Sequence, residues 1–277
     1  MKNLLPRILS GIVYIALIFF GTTGQPWLFA GLMGIFMVLC LIEFIQITEL
    51  SDKLYIALSF IGSSVVFYYF ATYLFGQESA FVLQALAFAG PVMFLLACYT
   101  IMFSSNELYI EFGKLTVGVI YIAVPFSLAL TIPRFQLEFG REITTPEILI
   151  IFILIWVSDI MAYVFGSLFG KHKLVPKISE NKTWEGAAGG FVFTVLAGFA
   201  IAQFILPKSS LNWLVLSLIV AFCAPLGDIV ESKLKRCFNA KDSGKLIPGH
   251  GGFLDRLDSF IFVIPMVYLY LLLNEIL

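Results

Sequence analysis

Long apolar runs separated by short polar connectors make up nearly the whole chain. They lie at roughly residues 8–23, 26–47, 54–75, 80–103, 114–133, 146–169, 186–206, 211–230 and 257–275. Each is close to the length a helix needs to cross the hydrocarbon core of a bilayer. The pattern predicts an all-α fold: a polytopic membrane protein of about nine transmembrane helices. Composition agrees, with 60% hydrophobic and 13% charged residues. A mean hydropathy of +0.97 excludes an ordinary soluble domain. No internal repeat is evident, so the inverted-repeat signature of many transporters is missing.

Charge adds a direction. With the N-terminus placed in the cytoplasm, fourteen of the 17 Lys and Arg residues fall on the cytoplasmic side. Arg134, Arg141 and Lys208 fall on the other. That asymmetry sets orientation by the positive-inside rule. Lys2 and Arg7 precede the first apolar run as in a signal peptide. No small-x-small cleavage site follows in Gly21-Thr-Thr-Gly-Gln25, so a retained first helix is expected. Cys40, Cys98, Cys223 and Cys237 form no CxxC pair, and neither a disulfide framework nor a zinc site is expected. The net charge of −1 carries no nucleic-acid signature, and no nucleic-acid partner is expected.

Two basic cytoplasmic loops stand out, at about 170–185 and 231–256. Lying on one side, they can converge on a single interfacial active site. The chain accordingly divides into N-terminal membrane helices, 1–135, as a scaffold and dimerisation region, and a C-terminal catalytic membrane region, 136–277. No linker or composition shift marks off a soluble domain.

The acids are sparse enough to weigh one by one. Asp159 sits in the middle of an apolar run, where a carboxylate is costly unless it meets a partner or water. Ala162, Tyr163, Gly166 and Gly170 follow at helical spacing, as a small, polar stripe facing the bundle interior or a cavity. Asp159 is read either as functional or as a structural carboxylate bonded to a neighbouring helix. Asp228 and Glu231 share a face at the cytoplasmic end of a run, and Lys235 continues it. Pro225 just before them predicts a kink or break that would let carbonyls line a polar cavity. The alternative is a helix end with solvated charges.

Asp255 and Asp258 are spaced i, i+3 at the start of the last run. Two carboxylates on one face repel unless a cation lies between them, and hard oxygen donors suit Mg²⁺ together with substrate phosphates. Asp255 also reads as a helix N-cap, and Asp258 as a first-turn acid favoured by the dipole. Pro248-Gly-His-Gly-Gly252 precedes them. Its glycines would let backbone amides approach an anion at a helix N-terminus. His250 is read as a phosphate contact or as a turn residue. Lys233, Lys235, Arg236, Lys241, Lys245 and Arg256 serve topology and anionic lipid on one reading. With carboxylates and glycines in the same short loop, the other reading is a metal–polyphosphate site.

The loop from Ser232 to Asp258 resembles the signature of the phosphatidate cytidylyltransferases, also called CDP-diacylglycerol synthases. Ser232, Leu234, Lys235, Arg236, Lys241, Asp242, Gly244, Ile247, Pro248, His250, Gly251, Gly252, Phe253, Asp255, Arg256, Leu257 and Asp258 all fit in register. Trp156–Tyr163 and Lys182–Gly190 are also similar to the family. The likeness covers roughly the C-terminal half. One departure is visible: the family's usual Ser-Pro-Lys-Lys-Thr is here Ser179-Glu-Asn-Lys-Thr183.

The resemblance implies the reaction of CTP with phosphatidate to give CDP-diacylglycerol and pyrophosphate. It implies Mg²⁺ and a second, monovalent cation such as K⁺, a homodimer, and a bacterial inner (cytoplasmic) membrane location. It assigns Asp228, Asp255 and Asp258 to the metal. Lys235, Arg236, Lys241 and Arg256 are assigned to phosphates, with His250 among the catalytic group. Asp159, Ser179, Lys182, Thr183, Glu185, Asp242, Gly251 and Gly252 fall to substrate binding. Two rival readings remain: a CTP-dependent kinase of a polyprenol- or phytol-type alcohol, and a non-enzymatic anion transporter. The full His-Gly-Gly…Asp-Arg-apolar-Asp run argues against the first. The gathering of charge at one interface argues against the second.

Overall fold

The structure, a computed structural model, describes residues 4–75, 80–103, 110–133, 146–205, 212–244, 246–247 and 251–276. Within them the apolar runs become helical rods in the predicted order. They are α1 (Leu4–Thr23), α2 (Pro26–Ile47), α3 (Lys53–Leu74) and α4 (Ala80–Phe103). A fifth rod joins α5 (Glu111–Gly118) through a π-helical turn (Val119–Ala123) to α6 (Val124–Ala129). Then come α7 (Pro146–Phe169), α8 (Trp184–Ala200) with a π-helical turn at Ile201–Ile205, α9 (Trp213–Cys237) and α10 (Leu254–Ile276). Among the described residues, seven rods are long and apolar enough to cross a membrane. Leu9–Thr23 of α1 and Ala89–Phe103 of α4 form shorter apolar segments. The protein is an all-α, integral membrane protein.

Local chemistry sets several of the helix starts. Pro26 opens α2, where its missing N–H costs nothing. Asp52 Oδ1 accepts from Leu54 N at 2.7 Å, capping α3. Thr183 Oγ1 and Asn212 Oδ1 cap α8 and α9 through Gly186 N and Val215 N, each at 3.2 Å. α9 runs seven residues past the apolar run's expected end at 230, since Lys235 and Arg236 suit the last turn of a helix. Pro225 lies inside α9 without breaking it. The carbonyls beside it take partners from elsewhere: Ser259 Oγ donates to Ala224 O at 3.0 Å and Lys182 Nζ to Pro225 O at 3.1 Å.

α10 lies at the centre, packed against α2, α4, α6, α7 and α9. Phe152 of α7 stacks on Phe260 of α10, with centroids 4.5 Å apart and planes 3° from parallel. α9 and α10 meet at Gly227, where an added Cβ would lie 2.6 Å from Asp258 O. α7 and α8 meet through Gly186 and Gly190; a Cβ there would press on Ala162 O at 2.7 Å and Ser158 O at 2.8 Å. Such close approach by small residues is how helices associate where lipid removes the hydrophobic drive. The outward side chains are apolar too, including Ile61 and Val65 of α3 and Leu196 and Phe199 of α8.

The 170–185 loop is more ordered than its sequence implies. β1 (Lys173–Val175) and β2 (Ser179–Thr183) pair antiparallel, Lys173 opposite Thr183 and Val175 opposite Ser179. Glu185 fastens the hairpin to α8, accepting from Lys171 N at 3.1 Å and contacting His172 Nδ1 at 2.6 Å. Glu180 and Asn181, the departure from the family pattern, are exposed on β2, whereas Lys182 is half-buried.

Candidate active site

The C-terminal end of α9, the N-terminal end of α10 and the β-hairpin meet at one end of the bundle. Asp228 and Glu231 stand one turn apart on α9, and Asp258 comes from α10. One carboxylate oxygen from each lies within 4.8 Å of the others. Glu231 is almost wholly buried, and neither of its oxygens has an aligned hydrogen-bond donor among the described residues. Lys235 Nζ lies 2.5 Å from its Oε2. Asp258 is buried and its Oδ1 accepts from Ser259 N at 2.6 Å. Three hard oxygen donors this close, one of them poorly satisfied, fit a divalent cation better than they fit one another.

Cations of the protein flank this group. Lys182 reaches from β2 to Asp228 Oδ2 at 2.8 Å, and Ser232 Oγ donates to Asp228 Oδ1 at 3.1 Å. Lys235 bridges Glu231 and Asp255, its Nζ 2.6 Å from Asp255 Oδ1. Asp255, expected with Asp228 and Asp258, lies outside the three-acid group but next to it, sharing Lys235 with Glu231. It accepts from Lys235, from Ser243 N at 3.1 Å and from Gly252 N at 2.9 Å. Its oxygens fasten the loop to the helix. Of the glycine amides expected to face an anion, that of Gly252 faces this aspartate instead, and Gly251 takes a φ of +85°, open to glycine at little cost.

The remaining expected residues divide by what occupies them. Asp159 is exposed on α7 within electrostatic range of Asp228, Lys182 and Arg256. The stripe after it is split: Ala162, Gly166 and Gly170 pack on α8 or its cap, whereas Tyr163 turns outward, 77% exposed. Four small or polar positions along a helix need not share one neighbour, and the large ring is the one that leaves. Thr183 and Glu185 spend their polar atoms on the α8 cap and the hairpin. Arg236 Nη1 donates to Ala240 O at 3.0 Å, tying down the end of α9. Ser179 is half-buried; Lys241, Asp242 and Arg256 are exposed at the same end. Tyr14 of α1 donates to Arg256 O at 3.2 Å. His250 lies outside the described residues.

Sequence reasoning missed Glu43. It sits in apolar α2, wholly buried, and accepts from Ser243 Oγ, Phe253 N and Leu254 N. A lone carboxylate inside a hydrophobic run was the signal that could have found it.

A helical membrane protein with acids and bases gathered at one end has the makings of an interfacial enzyme site. The comparisons narrow it. The sequence profile of the cytidylyltransferase family matches residues 5–274, and the chain belongs to that family. It is similar to the phosphatidate cytidylyltransferase of Staphylococcus saprophyticus, 37% identical over 181 residues. That match covers 65% of this chain and 66% of the relative, just under two thirds of its length. The Staphylococcus epidermidis protein of the same name is 34% identical over 200 residues, covering 71% of this chain and 74% of the relative. The Staphylococcus aureus protein is 37% identical over 182 residues, covering 65% and 66%.

Proposed function

We propose that this protein condenses CTP with phosphatidate to give CDP-diacylglycerol and pyrophosphate. The lipid phosphate attacks the α-phosphorus of CTP, forming a new P–O bond as the bond to pyrophosphate breaks. The observation that carries the reading is the Asp228–Glu231–Asp258 group, flanked by Lys182 and Lys235 at the end where the charged loops meet. Membership of the cytidylyltransferase family supports the nucleotide.

Both reactants are anions, so catalysis is mainly positioning and charge neutralisation. Asp228 and Asp258, with Glu231, would hold Mg²⁺, accompanied by a monovalent cation such as K⁺. The chemistry it would supply when bound is to offset charge on the phosphates and on the departing pyrophosphate. Asp255 and Lys235 keep the loop and the acids in register. Lys182, Arg236, Lys241 and Arg256 contact phosphate, with His250 beside them. Asp159, Ser179 and Asp242 line the nucleotide pocket, its frame held by Thr183, Glu185, Gly251 and Gly252. Phosphatidate is already ionised, so no strong general base is needed. Its acyl chains stay in the bilayer while CTP arrives from water. The site faces the cytoplasm of a bacterium across its inner membrane, in a homodimer.

The test uses purified protein in detergent, phosphatidate, MgCl₂ and CTP labelled at the α-phosphate. Label in CDP-diacylglycerol with release of unlabelled pyrophosphate is the expected result. Label recovered in CDP would indicate phosphoryl transfer to a lipid alcohol instead. Asp228→Asn should lose two or more orders of magnitude in turnover, about 3 kcal/mol of transition-state stabilisation. Near-normal turnover with unchanged Mg²⁺ dependence would remove Asp228 from the metal.

A further inference from the structure

Helix α10 begins without a cap of its own. Phe253 precedes it and offers no side-chain acceptor, yet the first amides of a helix need partners. Those partners arrive from α2, some 210 residues away in sequence. Glu43 Oε1 accepts from Phe253 N at 3.0 Å and Oε2 from Leu254 N at 2.8 Å. Ser243 Oγ donates to Glu43 Oε2 at 2.8 Å and accepts from Asp255 N at 3.2 Å, extending the cap to the next amide. The Glu43 charge faces the positive end of the α10 dipole.

The backbone around it is shaped to this carboxylate. A Cβ at Gly244 would lie 2.5 Å from Glu43 Oε1, and a Cβ at Gly252 would collide with Glu43 Oε2 and Ser243 Oγ. The anion that these two glycines approach is therefore the protein's own. Asp258 follows Leu254 by about one helical turn, so whatever fixes the start of α10 also fixes Asp258 against Asp228 and Glu231.

We propose that Glu43 is a positioning residue for the reaction: an anionic cap, delivered by α2, that sets residues 243–244 and 252–254 and the first turn of α10 and so the place of Asp255 and Asp258. The proposal rests on the activity proposed above for its catalytic readout. A carboxylate suits the task because the described groups that hydrogen-bond to it, Ser243 Oγ, Phe253 N and Leu254 N, are all donors, and charge-assisted hydrogen bonds are the stronger kind. A glutamine would turn an NH₂ toward one of those donors. An aspartate keeps both acceptors but reaches about 1.5 Å less far.

The experiment compares the full-length protein with Glu43→Gln, Glu43→Asp and Gly252→Ala in detergent. It reads hydrogen exchange in 243–258, Mn²⁺ binding, and turnover against Mg²⁺. For Glu43→Gln, at unchanged global helix content, exchange at Phe253 and Leu254 should rise about tenfold or more. Mn²⁺ affinity should weaken, and kcat should fall about tenfold with little change in KM for phosphatidate. Glu43→Asp should recover part of each. Gly252→Ala should copy the loss with Glu43 intact, which keeps the question open to test if Glu43→Gln does not fold. Faster exchange with unaltered Mn²⁺ binding, turnover and Mg²⁺ dependence would make the cap merely structural and overturn the proposal; unaltered exchange would overturn it as well. If the unmodified protein consumes no CTP, the activity reading fails separately. Exchange and Mn²⁺ binding then decide whether Glu43 sets the acids.

Discussion

Replacing Lys235 by methionine keeps most of the apolar stem of the side chain and removes its charge. In the structure that charge lies 2.5 Å from Glu231 and 2.6 Å from Asp255. The three side chains are 11%, 1% and 15% exposed, so water screens the contacts poorly. At an effective dielectric of about 20, each contact is worth about 6 kcal/mol before desolvation is counted. Desolvating the three groups offsets most of this. What deletion exposes is the cost of leaving buried carboxylates uncompensated, about 3–5 kcal/mol. For a chain of this size that lowers Tm on the order of 10 °C. The assay is thermal unfolding in detergent of Lys235→Met, Glu231→Gln and the double variant. If Lys235 balances Glu231, the double variant regains part of the loss, with a coupling of about 1 kcal/mol or more. A Lys235→Met protein melting within about a degree of the unmodified one, or strictly additive losses, would refute the reasoning.

Gly227→Ala should force α9 from α10, because its Cβ would lie 2.6 Å from Asp258 O and 2.9 Å from Ser259 Cα. A loss of about 1–3 kcal/mol in stability is expected, with a larger fall in turnover than in Tm would explain; normal kcat would show that the acids tolerate the shift. Lys182→Ala should raise KM for CTP and leave KM for phosphatidate nearly unchanged, since Lys182 both contacts Asp228 and sits on the hairpin proposed to hold the nucleotide; an unaltered KM for CTP would remove it from that pocket. Reporter fusions at Lys241 and Leu277 should report opposite sides of the membrane, and the same side for both would end the nine-span topology.

Much of this protein was legible in one dimension. Apolar runs of membrane length, each bounded by prolines, caps or charges, specify helices independently of their neighbours, because a backbone in lipid must satisfy its hydrogen bonds within its own segment. The rods therefore begin and end within a few residues of the runs, apart from α9, whose charged last turns look like a loop by hydropathy and are helical. The density of acids, bases and glycines near 231–258 likewise marked the end of the bundle where the acids gather. Partner choice was not legible. Asp228, Asp255 and Asp258 look equivalent along the chain, yet Asp255 turns to Lys235 and two backbone amides while Glu231 takes its place in the group. Glu180 and Asn181 look like a disruption until the hairpin exposes them and keeps Lys182 inward. Glu43 could be seen only as a lone acid in α2; that it caps α10 depends on two helices meeting across the fold. Helix formation is a local property of a segment in lipid. The pairing of buried charges is decided by which side chains packing brings within about 3 Å, and only the tertiary structure decides that.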